Sequence, residues 1–509
     1  MNEEIKNPKL IAKNGFYLFV RLLLVMLIGF YATRLTLGIL GDEEFGISNI
    51  VAGLISTFAV VSMPITSSLQ RFFNVEFTKG IRTPKVVFST TVRIIILLSL
   101  CMFLLYETIG LFLVNKVLQY PVERKFAVNV IFQLTVLTSI IRFMNIPYSA
   151  ILYSKENMGT PATVEVAVAV FRLIALLLLP FIDGDYLILY SVILLLMSAG
   201  ELIFYFSYCY RKYEETHLVI KKTDKSLQKE ILSFSGWNAI GAISGVSMTH
   251  LSNIFVNVFG GVLYNTAYGI SYQLSNAVVS FSTNVLKVID PQVTKATVAS
   301  MDDYRNRLAL FSIKLTVIAT GFVYVMFCFE GSQLLAIWLK NVPDYAFLFC
   351  RIAIFNVILS SVMLPLRTIV FATGNIKRFF ISIGISFVII MSIMFVLLKL
   401  GSPVVLVMYM IGFYQLISVV ISIVEVNKLS SLRASDVVNC LMICFVGLIL
   451  YGVVYLGLSY CLPQCSIYMM LSRIISSFFA FCAISYLVVL KKGEKKMILN
   501  LYKKIINKA

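Results

Sequence analysis

Histidine occurs only twice in 509 residues, so acid–base and metal chemistry have little to work with. No HExxH pair, no CxxC pair and no glycine-rich phosphate loop occurs either, and the usual residues of zinc hydrolases and nucleotide hydrolases are missing. Charge is scarce as well, at 13% of residues against 59% hydrophobic, with a mean hydropathy of +0.90. A soluble domain cannot hide that much apolar side chain, because its core stops growing at a few hundred residues. Period-two alternation is absent, which excludes a closed β-barrel. The remaining solution is helical: runs of roughly 20 apolar residues, enough to cross ~30 Å of hydrocarbon, recur from end to end.

The chain is therefore expected to be an all-α polytopic membrane protein with about 14 transmembrane helices, from 15–40 to 467–490. Turn signals part the spans, among them "GDEEFG" at 41–46, "DGD" at 183–185 and "GSP" at 401–403. The first apolar run follows "MNEEIKNPKLIAKNG", which mixes acids with lysines and lacks a small-residue cleavage site, so it reads as a retained helix rather than a signal peptide. Acids are the scarcer sign, 25 against 43 Lys and Arg, for a net charge of +18. The cations crowd into the N-terminus, the even-to-odd loops and the tail, which puts both termini in the cytoplasm. Such a balance reflects topology and anionic lipid head groups; nucleic acid is not an expected partner. The tail, 491–509, reads as a basic helix on the inner leaflet. Most of the nine cysteines sit in apolar spans as small hydrophobes; Cys461 and Cys465 share the outer side and can form a disulfide there.

The chain looks built twice. "IPYSAILYSKEN" (146–157) closes the fourth span and "LPLRTIVFATGN" (364–375) closes the tenth, while "FGIS" (45–48) and "YGIS" (268–271) open the second and eighth. Both echoes recur at nearly the same separation, as a six-helix unit repeated in parallel requires. The expected organisation is two six-helix bundles in parallel repeat plus two C-terminal helices: 1–210, a basic linker 211–233, 234–430, two extra helices 431–490, and the tail 491–509. Parallel bundles related by an axis along the membrane normal suit alternating access.

Charges inside the spans are the candidate site. Arg21, Arg34, Arg93, Arg142 and Arg172 concentrate in the first bundle. Arg172 lies near the middle of its span, 161–181, and Glu165, two turns earlier on the same face, is either its salt-bridge partner or a group that tunes it. Arg93 and Glu107 share a face of the third span, read as 85–114. Arg21, Arg367 and Arg473 lie near helix ends, from which they can snorkel. The eighth span carries Gln273, Asn276, Ser280, Asn284 and Lys287 in one stripe, and the seventh carries His250, Asn253 and Asn257. Such stripes serve either as interhelical glue or as a wet wall suited to sugar hydroxyls. An interior of this kind calls for an anion, and arginine's planar fork suits phosphate. Glu165, Glu201 and His250 are the candidate proton or ion-coupling sites. No metal, no other cofactor and no catalytic residue is expected.

"TLGILGDEEFGISNIVAGLISTFAVVSMPITSSLQRFFNVEF" (36–77) resembles the start of bacterial Wzx-type polysaccharide flippases, of the multidrug/oligosaccharidyl-lipid/polysaccharide superfamily. Leu40-Gly41 before Phe45-Gly46, and Gln70-Arg71-Phe72, carry the resemblance, together with the number of spans, the 6+6 arrangement and the extra pair. It implies a flippase, not an enzyme, moving an undecaprenyl-diphosphate-linked glycan (an O-antigen, capsule or exopolysaccharide unit) across the bacterial inner membrane. It also implies coupling to an ion gradient, membrane lipids as surroundings, and polysaccharide polymerase and chain-length machinery as partners. The cavity-arginine role passes to the five arginines of the first bundle. The alternatives are a lipid II flippase and a multidrug/cation antiporter; the latter favours a buried acid in the first or seventh span, where this chain has none. A lipid-modifying glycosyltransferase is disfavoured because no outer loop is long.

Overall fold

A computed structural model describes residues 8–59, parts of 62–73, 83–155, 157, 159–219, 225–298, 301–339, 341–373, 377–462, 467–490 and 493–495; side chains are not described for 8–23, 57–59, 233–246 and scattered positions within 281–298. These residues form fifteen α-helices and no strand. Eleven helical stretches among them are long and apolar enough to cross a membrane. One, Leu24–Ser56, holds two spans, and two further long helices are more polar; the expected series of about fourteen is thus present in order. By internal contacts the chain forms two units, 1–266 with 338–343, and 267–337 with 344–509.

In the first unit α1 (Pro8–Ala59) breaks at Gly41, whose φ of 78° only glycine adopts without strain. Helix resumes at once, so the turn expected over 41–46 is a single residue. α2 (Pro84–Leu105) runs through a π turn at Tyr106–Gly110 into α3 (Leu111–Lys116). The buried Tyr106 hydroxyl holds that turn, donating to the carbonyl of Ile55 at 3.2 Å and meeting Ser139 Oγ at 3.1 Å. α4 (Lys125–Met144) ends just before Pro147, which starts the short α5 (Ile146–Ser154). α6 (Gly159–Leu178), α7 (Tyr186–Lys212) and α8 (Lys225–Gly260) follow, and α9 (Val262–Val298) begins here.

Lipid tails are as apolar as leucine, so close backbone approach and hydrogen bonds hold such helices together. At Gly46 a Cβ would collide with the carbonyl and side chain of Val262, and at Gly53 with the Asn253 amide. Around these two glycines, Asn49 Nδ2 donates to the Asn265 carbonyl at 2.9 Å and Thr266 Oγ1 to the Asp42 carbonyl at 2.5 Å. Asn257 exchanges two hydrogen bonds with the backbone of Gln119, at 2.8 and 3.0 Å. Asn253 and Asn257 of the seventh-span stripe are thus interhelical glue, both buried. A clip of Arg124 with Glu44 (2.6 Å) and Asp185 (2.7 Å) joins the starts of α4, the second arm of α1 and α7.

The second unit holds most of α9, then α10 (Asp302–Leu339), α11 (Ala346–Thr373), α12 (Lys377–Lys399), α13 (Leu406–Leu429), α14 (Ala434–Cys461) and α15 (Ile467–Ile484). Pro365 is accommodated inside α11, whereas its echo Pro147 starts a new helix, so the two sequence echoes differ locally. Gly412 of α13 lies against Asn356 of α11, whose amide donates to the Met408 carbonyl at 2.9 Å. The last two helices are bound to α10 by charge. Arg473 donates to Glu330 through Nε (2.7 Å) and Nη2 (2.8 Å), Tyr455 donates to the same carboxylate at 2.9 Å, and Arg473 and Glu330 are both 0% exposed. Lys314, buried, reaches Glu494 at 2.8 Å and the Val489 carbonyl at 3.1 Å.

Two expectations change here. Arg473 does not snorkel; it is sealed in the interior. Its partner Glu330 is the last residue of the ninth apolar run as the sequence sets it, 307–330, and was not singled out among the charges inside the spans, while α10 continues to Leu339. The start of the tail packs inward through Glu494; residues 496–509 lie outside those described, as does Cys465.

Candidate functional site

Polar side chains of α4, α6 and α7 converge inside the first unit. α7 presents Tyr190, Ser198, Glu201 and Tyr205 at eight-, three- and four-residue steps, so they share one helical face. Arg142, two residues before α4 ends, donates from Nε to Ser198 Oγ at 3.3 Å. Arg172 of α6 donates from Nη2 to the Tyr190 hydroxyl, and its guanidinium carbon lies 5.6 Å from the centre of that ring. Arg142 lies in the fields of Glu201 and Arg172, and Glu201 in that of Glu165. Two guanidiniums and two carboxylates form one electrostatic group. Its charge is balanced, so it is not the bare cationic patch that composition alone suggests.

The group is not closed. The Arg172 Nε atom is buried and has no hydrogen-bond partner among the described residues, and Arg142 is exposed. A guanidinium with an unmatched donor can receive an oxyanion without losing an existing bond. Its neighbour Glu165 supplies a carboxylate that can exchange with such an anion or with a proton. Tyr190 and Ser198 were not singled out from the sequence. The signal that could have found them is the polar stripe along α7, which stands out in an otherwise apolar helix.

The other candidate residues are placed as follows. Arg34 is half-buried on the first arm of α1, and Arg93 is exposed on α2. Glu107 accepts from Gln133 of α4 at 3.2 Å. Glu107 is the second residue of the π turn at 106–110. His250 is half-buried on α8. Gln273 is half-buried and Asn276 exposed on the part of α9 that belongs to the second unit. The side chains of Arg21, Asn284 and Lys287 lie outside the described residues. No cluster of metal-ligating side chains is present among the described residues.

No protein-family model and no curated protein matches the sequence. Solved structures do match its fold. Lipid II flippase MurJ, in an inward closed conformation, superposes with a TM-score of 0.69 at 13% identity, covering 93% of this chain and 98% of that one. An inward-facing multidrug resistance MATE family transporter of the MOP superfamily gives 0.60 at 12% identity, over 82% and 96%. A MOP superfamily transporter from Pyrococcus furiosus, with a binding pocket of reversed polarity, gives 0.60 at 12%, over 86% and 99%. The fold is that of the MOP transporters. The MurJ superposition covers nearly the whole chain. Identity this low establishes the architecture and leaves cargo to the site itself.

Proposed function

We propose that this protein is a flippase that carries an undecaprenyl-diphosphate-linked oligosaccharide across the bacterial inner membrane by alternating access, with both termini cytoplasmic. The observation that carries the reading is the open Arg142–Arg172 pair within a MOP fold, one guanidinium having a buried, unmatched donor. A diphosphate offers acceptors in the geometry a guanidinium fork prefers. Glu165 and Glu201, in the same electrostatic group, are suited to protonate as the anion arrives or leaves, which would link cargo movement to an ion gradient. Polar residues of α9, Gln273 and Asn276 with Asn284 and Lys287, are assigned to the sugar. Arg21, Arg34 and Arg93 complete the proposed anion path, and His250 is the remaining coupling candidate. Membrane lipids surround the protein, and a polysaccharide polymerase with its chain-length machinery would take the product.

A second reading, a lipid II flippase, is favoured by one observation: the MurJ superposition is the fuller of those above. Depletion of the protein separates the two. Accumulation of a polysaccharide repeat on its lipid carrier supports the first, and accumulation of the peptidoglycan precursor supports the second. In cells that depend on the protein, Arg142→Ala and Arg172→Ala at normal abundance should each stop most glycan export; unimpaired export in both overturns the anion assignment.

A further inference from the structure

α6 and α7 do not close against each other along their length. Between them runs an open groove of about 1480 Å³. Its walls are apolar for most of their extent, with Val168, Phe171 and Ile174 on α6 and Leu196 and Phe204 on α7. Phe171 and Leu196 are among the most exposed large apolar side chains of the unit, at 63% and 65%. One end is different in kind. Lys155, Asn157, Thr160, Tyr208, Lys212 and Tyr213 gather at the mouth.

The mouth is pre-assembled. Asn157 Nδ2 donates to the hydroxyls of Tyr208 (3.1 Å) and Tyr213 (3.2 Å), and Thr160 Oγ1 donates to Asn157 Oδ1 at 3.1 Å. Lys212 Nζ donates to the Tyr208 hydroxyl at 2.7 Å and lies 5.0 Å and 5.7 Å above the centres of the two tyrosine rings. Lys155 is paired with Glu215 at 2.6 Å, so its charge is offset. Lys212 is exposed and has no ion pair among the described residues, since Glu214 and Glu215, which follow it, lie against Lys85 and Lys155; it provides the cation of the mouth, with Arg211 exposed beside it.

Depth gives the second argument. Glu201 also lines the groove, eleven helical residues from Lys212, about 16 Å along the axis at 1.5 Å per residue. That is close to half of the ~30 Å hydrocarbon core, the reach of one leaflet. A chain anchored at Lys212 thus passes Thr163, runs beside Phe204, Val168 and Phe171, and meets the first charged group beyond the mouth, Glu201, only where a leaflet ends.

We propose that this groove binds one anionic phospholipid from the leaflet at the Lys212 end, its phosphate at Lys212 and the Tyr208–Tyr213–Asn157 cluster and an acyl chain in the trough. A cation set between two spans at the interface selects for anionic lipid, and the apolar trough holds the chain without closing over it. The mouth of this site is distinct from the Arg142–Arg172 group, of which only Glu201 reaches the far end of the trough, and the proposal does not depend on which cargo the protein carries.

The test uses the full-length protein reconstituted in bilayers of equal phosphatidylglycerol and phosphatidylethanolamine, with lipid retained per chain counted by native mass spectrometry after extraction. Wild-type protein should keep one phosphatidylglycerol in preference to phosphatidylethanolamine. Lys212→Gln should lower that preference about tenfold, the size of one charge-assisted contact. Lys212→Arg should preserve it. Ala167→Trp, which fills the trough and leaves the mouth intact, should lower retention of both lipids at this site. Should Lys212→Gln fail to fold, the Ala167→Trp result and the wild-type preference decide by themselves. Equal retention of the two lipids by wild-type protein, or unchanged retention in Ala167→Trp, overturns the proposal.

Discussion

Two arginines of apolar helices, Arg473 and Arg172, lead opposite lives. Arg473 meets a carboxylate with two of its nitrogens, gives a third to the Leu462 carbonyl at 2.6 Å, and is wholly shut away. Arg172 meets a tyrosine, keeps one buried donor unmatched among the described residues, and lies in the field of a second arginine. A membrane-embedded charge is tolerated when its hydrogen bonds are complete or when something else completes them. The first condition makes a clamp, which here binds α15 and α14 to α10. The second suits the anion-receiving role proposed above.

The comparison is broken most violently at the clamp. Arg473→Ala leaves Glu330 buried and unpaired and should destabilise the second unit by about 3–5 kcal/mol, seen as lost abundance and a lowered Tm in detergent. The double variant Arg473→Leu with Glu330→Leu should recover most of that loss, because neither charge then remains without its partner. If the single variant is as stable as wild type, the clamp is not structural.

Gly46→Leu should follow, at about 1–3 kcal/mol, since its side chain meets the backbone of Val262 at the start of α9. Normal abundance for this variant would mean that the helices can separate without loss. Arg172→Ala should behave in the opposite manner to Arg473→Ala: little change in Tm, with glycan export reduced about tenfold or more, the scale of a charge-assisted hydrogen bond to cargo. A fall in Tm equal to that of Arg473→Ala would make Arg172 a second clamp and erase the distinction.

The smallest effect lies between these extremes, at the partly exposed Arg124–Asp185 pair. Burial by itself raises the Asp185 pKa, but the hydrogen bond from Arg124, with the amides of Ile188 and Leu187, outweighs it and holds the carboxyl below its ordinary 3.8. A depressed carboxylate contributes its full stability above the unfolded-state pKa and loses it as pH falls through the folded value. Wild-type Tm should therefore decline as pH drops below about 4, and Arg124→Gln should flatten that decline by under ~1 kcal/mol. An unchanged profile in Arg124→Gln would show that the amides of α7 suffice.

Much of the architecture was legible beforehand, for reasons that lie in local chemistry. Apolar runs of span length marked the helices, and the glycine turn that opens at Gly41 marked the break in α1, whereas the break after Asn145 emerged only in the structure. The arginine group was half legible. Arg142 and Arg172 could be named because a central charge in an apolar run is conspicuous, but Tyr190 could not, since the bond to it crosses a helical turn-around that no periodicity encodes. The five-residue π turn at 106–110 was invisible in composition. Glu330, the last residue of its apolar run, was not singled out, while its helix continues to Leu339.

Hydropathy determined by itself that this chain must be a bundle of spanning helices, because backbone amides in oil have no other partner than their own helix. Which charges close upon each other and which stay open was decided only by tertiary structure. Pairing Arg473 with Glu330, 143 positions away, while leaving Arg172 with a tyrosine, depends on how helices abut at ångström scale, and hydrogen bonding is sensitive to that distance in a way that composition is not.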